Sequence, residues 1–411
     1  MNPKTKFALF SICFIAVLLV TTLGVAKVAP NSDMAEYKAQ AQRDFDNAKT
    51  AIEQIRGVKM PFINLQVVTK QWAIETWGKG YADPDITNIL RQEKFYKGVF
   101  LIPENASLYQ ANVDWAGNFG AATWGEQIYV VKENFDPWDL PNAEATFVHE
   151  LTHIWQPHLV NPDSFDMDKA HGALVEGDAS YMGDFFINQT KASPAPELTV
   201  NQVPFYLLTN PALTQIHLMP DAIWSLNYFP YDQGKTFLTA VFQNGGWKTV
   251  NSVYQNPPNT TAQILHPEQY FANQTNQPVN APTLAENSWT QIKNDRYGEY
   301  FIQVMLKNWV PATEAKNAST GWVGDNYTYY ERSNDYLFTW NIKWGSSCDA
   351  SDFYVAFHNM AIAAGATDYG SCNWAANGRY LSITWDQSQN TTLVACSNVQ
   401  AATQADYFTQ K

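Results

Sequence analysis

The chain has 411 residues, with 26 basic and 39 acidic side chains, a formal charge of -13, 45% hydrophobic residues and 14% aromatic residues. That composition excludes a disordered chain, and the length suffices for two or three domains with a real core. An acidic chain without a Lys/Arg block repels phosphate backbones, so nucleic acid is excluded as a partner, and the low share of charged residues, 16%, fits a weakly charged surface outside the cytoplasm.

Lys4 and Lys6 precede the apolar run 7-FALFSICFIAVLLVTTLGVA-26. At 1.5 Å per residue a helix of that length spans about 30 Å, the thickness of a hydrocarbon core. Residues 1–30 therefore read as a membrane anchor, or as a signal peptide cleaved near Gly24-Val25-Ala26. Either reading leaves the lysines inside and exports the remainder. Asn105, Asn188, Asn259, Asn273, Asn317, Asn326 and Asn390 begin N-x-S/T sequons, which are glycosylation acceptors in an exported protein.

Residues 31–57 read as one helix, capped by Ser32 or Asp33 and stopped by Gly57, serving as a stalk or as the first helix of the next domain. Strands are expected at 62-FINLQVVT-69, 98-GVFLIP-103 and 127-QIYVVKE-133. Helices follow from about Pro141 to Ile187, interrupted near 160-VNPDSF-165, and the stretch from about 200 to 300 reads mainly as helices broken by Pro and Gly. Beyond about 320 come a hairpin at 326–344, a helix at 349–365 and a second hairpin at 379–397. That order predicts a small α+β domain with a helix on an antiparallel sheet. Cys348, Cys372 and Cys396 cluster there, and export permits one disulfide among them, with one thiol left over.

The stretch 147-FVHELTHIWQ-156 carries the chemistry. His149 and His153, four residues apart, share one face of a helix and can reach one metal, with Glu150 beside them to hold and deprotonate a water. The pattern arises by chance on the order of once in a hundred such chains. Asp139 or Asn142 is placed to cap this helix, with Pro141 in its first turn. Zinc needs a third protein ligand and an open fourth position. Glu176, in the apolar turn Ala173-Leu174-Val175 of the next predicted helix, is the best third ligand, because a lone carboxylate on such a face costs several kcal/mol. Candidates to stabilise the developing oxyanion are Tyr231, His266 and Tyr181. His158, His171, His217 and His358 have no partner at ligand spacing.

His149-Glu150-x-x-His153 followed by Glu176 resembles the gluzincin metallopeptidases. The resemblance implies one Zn2+ per chain held by His149, His153 and Glu176, with Glu150 as the general base in hydrolysis of a peptide or protein substrate. The pieces HELTH, LVEGDA, FPYDQG, GGW, ILHPEQY and GWVGD also resemble a group of largely uncharacterised exported H-E-x-x-H proteins of prokaryotes, from about residue 60 to the C-terminus. Many gluzincins carry an Asp one turn after the Glu ligand. Here that position is Ser180, and Asp178 is the best remaining carboxylate to orient a ligand.

The expected fold class is α+β. A zincin-like domain at 58–305, with a mixed sheet and helices first and helices in its second half, precedes the C-terminal domain at 306–411. The stretch 119-FGAATWGEQIYVV-131 is the expected edge for extended substrate. Two other readings stand beside the peptidase: a cell-surface binding protein without turnover, and a zinc hydrolase of a non-peptide substrate.

Overall fold

Every fourth or third residue of the first helix, α1 (Met34–Arg56), is apolar and buried: Tyr37, Ala41, Phe45, Ala48 and Ile52. That stripe packs on the helix bearing the H-E-x-x-H motif, with Phe45 edge-on to Phe147 at 5.8 Å, so α1 is a packed first helix and not a free stalk. Asp33 caps it and Gly57, in the left-handed conformation, ends it. The computed structural model describes residues 33–190 and 219–409. The apolar run 7–26, with Cys13, and His217 lie outside the described residues. Among the described residues no helix is long and apolar enough to cross a membrane.

A three-stranded sheet follows, in the order β1 (Asn64–Val68), β3 (Gln127–Val131), β2 (Ala121–Trp124). β1 and β3 run parallel, and β2 is antiparallel at the edge, in the expected stretch. Between β1 and β2 lie α2 (Ile86–Gly98) and α3 (Leu108–Trp115). The strand expected at 98–103 does not form. Gly98 closes α2, Phe100 adopts a positive φ of 57°, and the Leu101 amide bonds back to the Tyr96 carbonyl. A short, wholly apolar run is as compatible with a buried turn as with a buried strand.

The motif helix is α4 (Asn142–Trp155), followed by α5 (Phe165–Thr190), α6 (Asp221–Gln243), α7 (Gly246–Val253) and α8 (Thr261–Leu265). The helical break expected at 160–165 is present. Neither expected side chain caps α4: Asp139 instead accepts the Asn142 side-chain amide, at 3.2 and 3.3 Å.

The C-terminal part is a seven-stranded antiparallel sheet. It comprises β4 (Thr290–Asp295), β5 (Trp322–Arg332), β6 (Asp335–Trp344), β7 (Thr367–Asp368), β8 (Asn373–Ala376), β9 (Arg379–Asp386) and β10 (Thr391–Ser397), in the order β4-β5-β6-β10-β9-β8-β7. Both expected hairpins and the intervening helix, Ser347–Ala363, are there. β4 was expected among helices. Its residues are mostly exposed, so it carries no apolar alternation to reveal it. It belongs to this sheet although it precedes residue 306. α2 lies against the same sheet, with Phe95 edge-on to Phe338 and Trp340, so upstream and C-terminal parts share one core. The architecture is mixed α+β, with a C-terminal sheet domain.

The expected disulfide is absent among the described residues. Cys348 is exposed at the start of Ser347–Ala363, Cys372 sits beside the Tyr354 hydroxyl at 2.8 Å, and Cys396 is buried in β10. All three thiols are free.

Candidate metal centre

α4 is buried continuously from Ala145 to Thr152, which takes His149 and Glu150 out of solvent, while His153 is half-buried one turn later. α5 crosses α4 and brings up Glu176, 6% exposed. The three groups converge. His149 Nε2 lies 3.3 Å from Glu176 Oε2, His153 Nε2 lies 3.5 Å from the same oxygen, and the two Nε2 atoms are 3.1 Å apart. Sequence and structure thus agree on this trio as a possible ligand set.

Two observations show that these residues fit a zinc ion. Ligands at about 2.0–2.1 Å in tetrahedral array stand about 3.3–3.4 Å apart, and the three separations bracket that value. Glu176 Oε2 is also buried and, among the described residues, faces the two imidazole nitrogens without a well-formed hydrogen bond, a costly state that a cation relieves.

Burial pushes the His149 pKa down and keeps that imidazole neutral. Burial works against charge on His153 too, but Glu176 outweighs it and holds the pKa up at about 9. Burial alone would raise the Glu176 pKa, and the neighbouring His153 brings it below the usual carboxylate range. Burial pushes Glu150 up to about 8, opposed by His153 and by the Thr123 hydroxyl.

Glu150 is aimed by the edge strand. Thr123 Oγ1, on β2, lies 2.7 Å from Glu150 Oε2 and 3.0 Å from the Glu150 carbonyl, sharing its one proton between them. Glu150 Oε1 is buried and has no hydrogen-bond partner among the described residues. Thr123 was not foreseen, because it is 27 residues from Glu150 and only the fold brings them together.

Asp178 touches neither imidazole. Gln156 stands between: its Oε1 lies 2.8 Å from His153 Nδ1, while its Nε2 donates to the Val175 carbonyl at 2.9 Å and faces Asp178 Oδ2 at 3.4 Å. A carbonyl and a carboxylate can only accept, so Nε2 must face them and Oε1 must face His153. His153 Nδ1 therefore carries the proton, and its Nε2 faces Glu176. Asp178 is held in turn by Arg56 Nη1 at 3.0 Å and by the Tyr254 hydroxyl at 2.9 Å. Arg56 lies between two indoles, Trp155 and Trp247, each 4.1 Å from the guanidinium carbon. Gln156 belongs to the motif stretch itself; its place three residues after His153 is the sequence signal that pointed to it.

α5 and α6 meet backbone to backbone at Gly177 and Gly234. A Cβ on Gly177 would run into Gly234, and one on Gly234 would run into the Ala173 carbonyl. This approach carries Tyr231, one turn before Gly234, over the site, where its ring lies nearly parallel to His149 at 6.3 Å. His266 is engaged elsewhere, with Nε2 on Glu299 Oε1 at 2.8 Å. Tyr181 packs with Phe242 and Trp247. Of the three oxyanion candidates, Tyr231 is the one whose ring lies against a member of the trio, His149.

Residues 286–406 match a domain of unknown function, DUF8575, which spans β4 to the end of the C-terminal sheet and contains none of the trio. No curated protein matches the chain. Among solved structures, one described as a candidate hydrolase with a novel fold, from Chloroflexus aurantiacus, is similar at 15% identity and a TM-score of 0.32, covering 60% of this chain and 92% of that one.

Proposed function

We propose that this chain is an exported zinc-dependent metallopeptidase of the gluzincin kind, with one zinc held by His149, His153 and Glu176. The observation that carries the reading is the convergence of these three side chains on one point, beside a carboxylate, Glu150, tethered to a sheet edge. Zinc, when bound, supplies Lewis acidity that brings the pKa of a water towards ~7 and polarises a carbonyl.

The remaining chemistry belongs to the chain. Glu150 Oε1 takes a proton from water and passes it to the leaving nitrogen, while Thr123 keeps Oε2 in place. The free side of β2 offers backbone donors and acceptors to an extended peptide. Tyr231, 5% exposed beside His149, is the best-placed group to stabilise charge on the attacked carbonyl oxygen. Asp178, through Gln156, keeps His153 in the ligating tautomer. The apolar run 7–26 supports export, anchored or cleaved.

Zinc quantification combined with a peptide-library cleavage assay tests the reading. One zinc per chain, lost in Glu176→Ala, together with peptide cleavage, is the expected result. A protein that binds no zinc favours the binding-protein reading, and a zinc protein that cleaves no peptide favours a non-peptide hydrolase.

A further inference from the structure

α6 carries three aromatic residues on one face, Trp224, Tyr228 and Tyr231, spaced as i, i+4 and i+7. Their ring planes are close to parallel: 18° between Trp224 and Tyr228, 23° between Tyr228 and Tyr231, and 17° between Tyr231 and His149. The centroids are 6.2, 6.0 and 6.3 Å apart, so the rings are offset like shingles rather than face to face. Tyr231 is buried, while Trp224 and Tyr228 keep part of their surface in solvent. Trp115 stands edge-on behind Trp224 at 5.3 Å and fixes that end. Of the nearby charges, Lys235 and Asp184 pair with each other at 2.8 Å, and Asp232 acts on Tyr228 more strongly than either.

We propose that Trp224 and Tyr228 form a distal subsite that binds an aromatic side chain of the peptide substrate, several residues from the bond to be cut. The proposal rests on the peptidase reading and names the substrate class it serves. The reach follows from the spacing. Seven residues of helix rise about 10 Å from Tyr231 to Trp224. An extended peptide advances about 3.3 Å per residue, so the shelf meets side chains about three to five residues from the metal. Offset parallel rings favour another flat ring over an aliphatic chain of equal area, and Asp232 beside Tyr228 works against an acidic side chain.

The test uses the full chain carrying Glu150→Gln, so that binding is read without turnover. Zinc-loaded protein is titrated with labelled peptides of about twelve residues, in which a single Phe is scanned along an alanine background, and binding is followed by fluorescence anisotropy. One register is expected to bind about tenfold tighter than the all-alanine peptide. That gain should collapse in Trp224→Leu/Tyr228→Leu and survive in Trp224→Phe/Tyr228→Phe, with zinc content and circular dichroism showing that each variant folds. A Phe scan without a preferred register overturns the proposal, as does a preference that persists in the leucine pair. If the scan shows the register but the parent chain with zinc cleaves none of the peptides, the peptidase reading fails and the aromatic subsite stands.

Discussion

Gln156 Oε1 lies 2.8 Å from His153 Nδ1, and the acceptors around the other end of Gln156, the Val175 carbonyl and Asp178, permit no flipped amide. The His153 tautomer with its proton on Nδ1 therefore depends on a residue that is itself positioned by α5 and, through Asp178, by Arg56 at the end of α1.

Replacing Gln156 by Leu removes the acceptor at Nδ1. Zinc affinity should fall about 10–100-fold, and Gln156→Glu, which keeps an acceptor at Nδ1 but sets a carboxylate oxygen against the Val175 carbonyl and Asp178, should recover only part of it. Competition with a chromophoric chelator measures both. Equal affinity in the parent and the Leu variant contradicts the role given to Gln156.

Arg56 and Asp178 are an ion pair at 1% and 0% side-chain exposure. Arg56→Met leaves the carboxylate buried without its cation and should destabilise the fold by about 3–5 kcal/mol in urea unfolding. Adding Asp178→Asn should restore part of that loss, because no charge is then left uncompensated. Arg56→Lys should not rescue, since an ammonium cannot fill the flat slot between Trp155 and Trp247. A lysine variant as stable as the parent would show that the stacking is immaterial.

Gly234→Ala forces α5 and α6 apart where they touch. The expected cost is about 1–3 kcal/mol, with a lower zinc affinity because Glu176 precedes the contact residue Gly177. Thermal unfolding with and without zinc reads both effects. An alanine variant with parental stability would contradict the close approach.

Asp44 supplies a pH signature away from the candidate metal centre. It is buried on α1 with Oδ2 unpartnered, facing Gln40 and Arg43 of its own helix and Glu144 of α4. Burial raises its pKa to about 6, against the Gln40 hydrogen bond and Arg43 and with the help of Glu144. The folded form then holds this proton more tightly than the unfolded chain, so stability is lost as pH rises from about 4 through about 6. Asp44→Asn has no such proton. It should match the parent near pH 4 and exceed it by about 1–3 kcal/mol above pH 6. A stability difference that does not change with pH would contradict the assignment.

Much of the site was legible because its signals are local. His149 and His153 announce themselves by spacing, Glu176 by a charge on an apolar helical face, and α1 by its stripe from Tyr37 to Ile52. What escaped notice depends on distant pairs. Thr123 meets Glu150 across a sheet-to-helix contact, and Arg56 meets Asp178 across 122 residues. Neither residue has a pattern of its own. The 98–103 run and β4 mark the same limit in the fold: one is apolar but turns, the other is polar but pairs with β5. His266 sits in a suggestive motif, yet it serves Glu299.

The most direct measurement is casein hydrolysis by zinc-loaded Glu150→Gln beside the parent chain. The variant is expected to keep its zinc and lose about 10²–10⁴-fold in rate, since Glu150 is the group placed beside the trio to move the proton. A variant that cleaves casein as fast as the parent would contradict it.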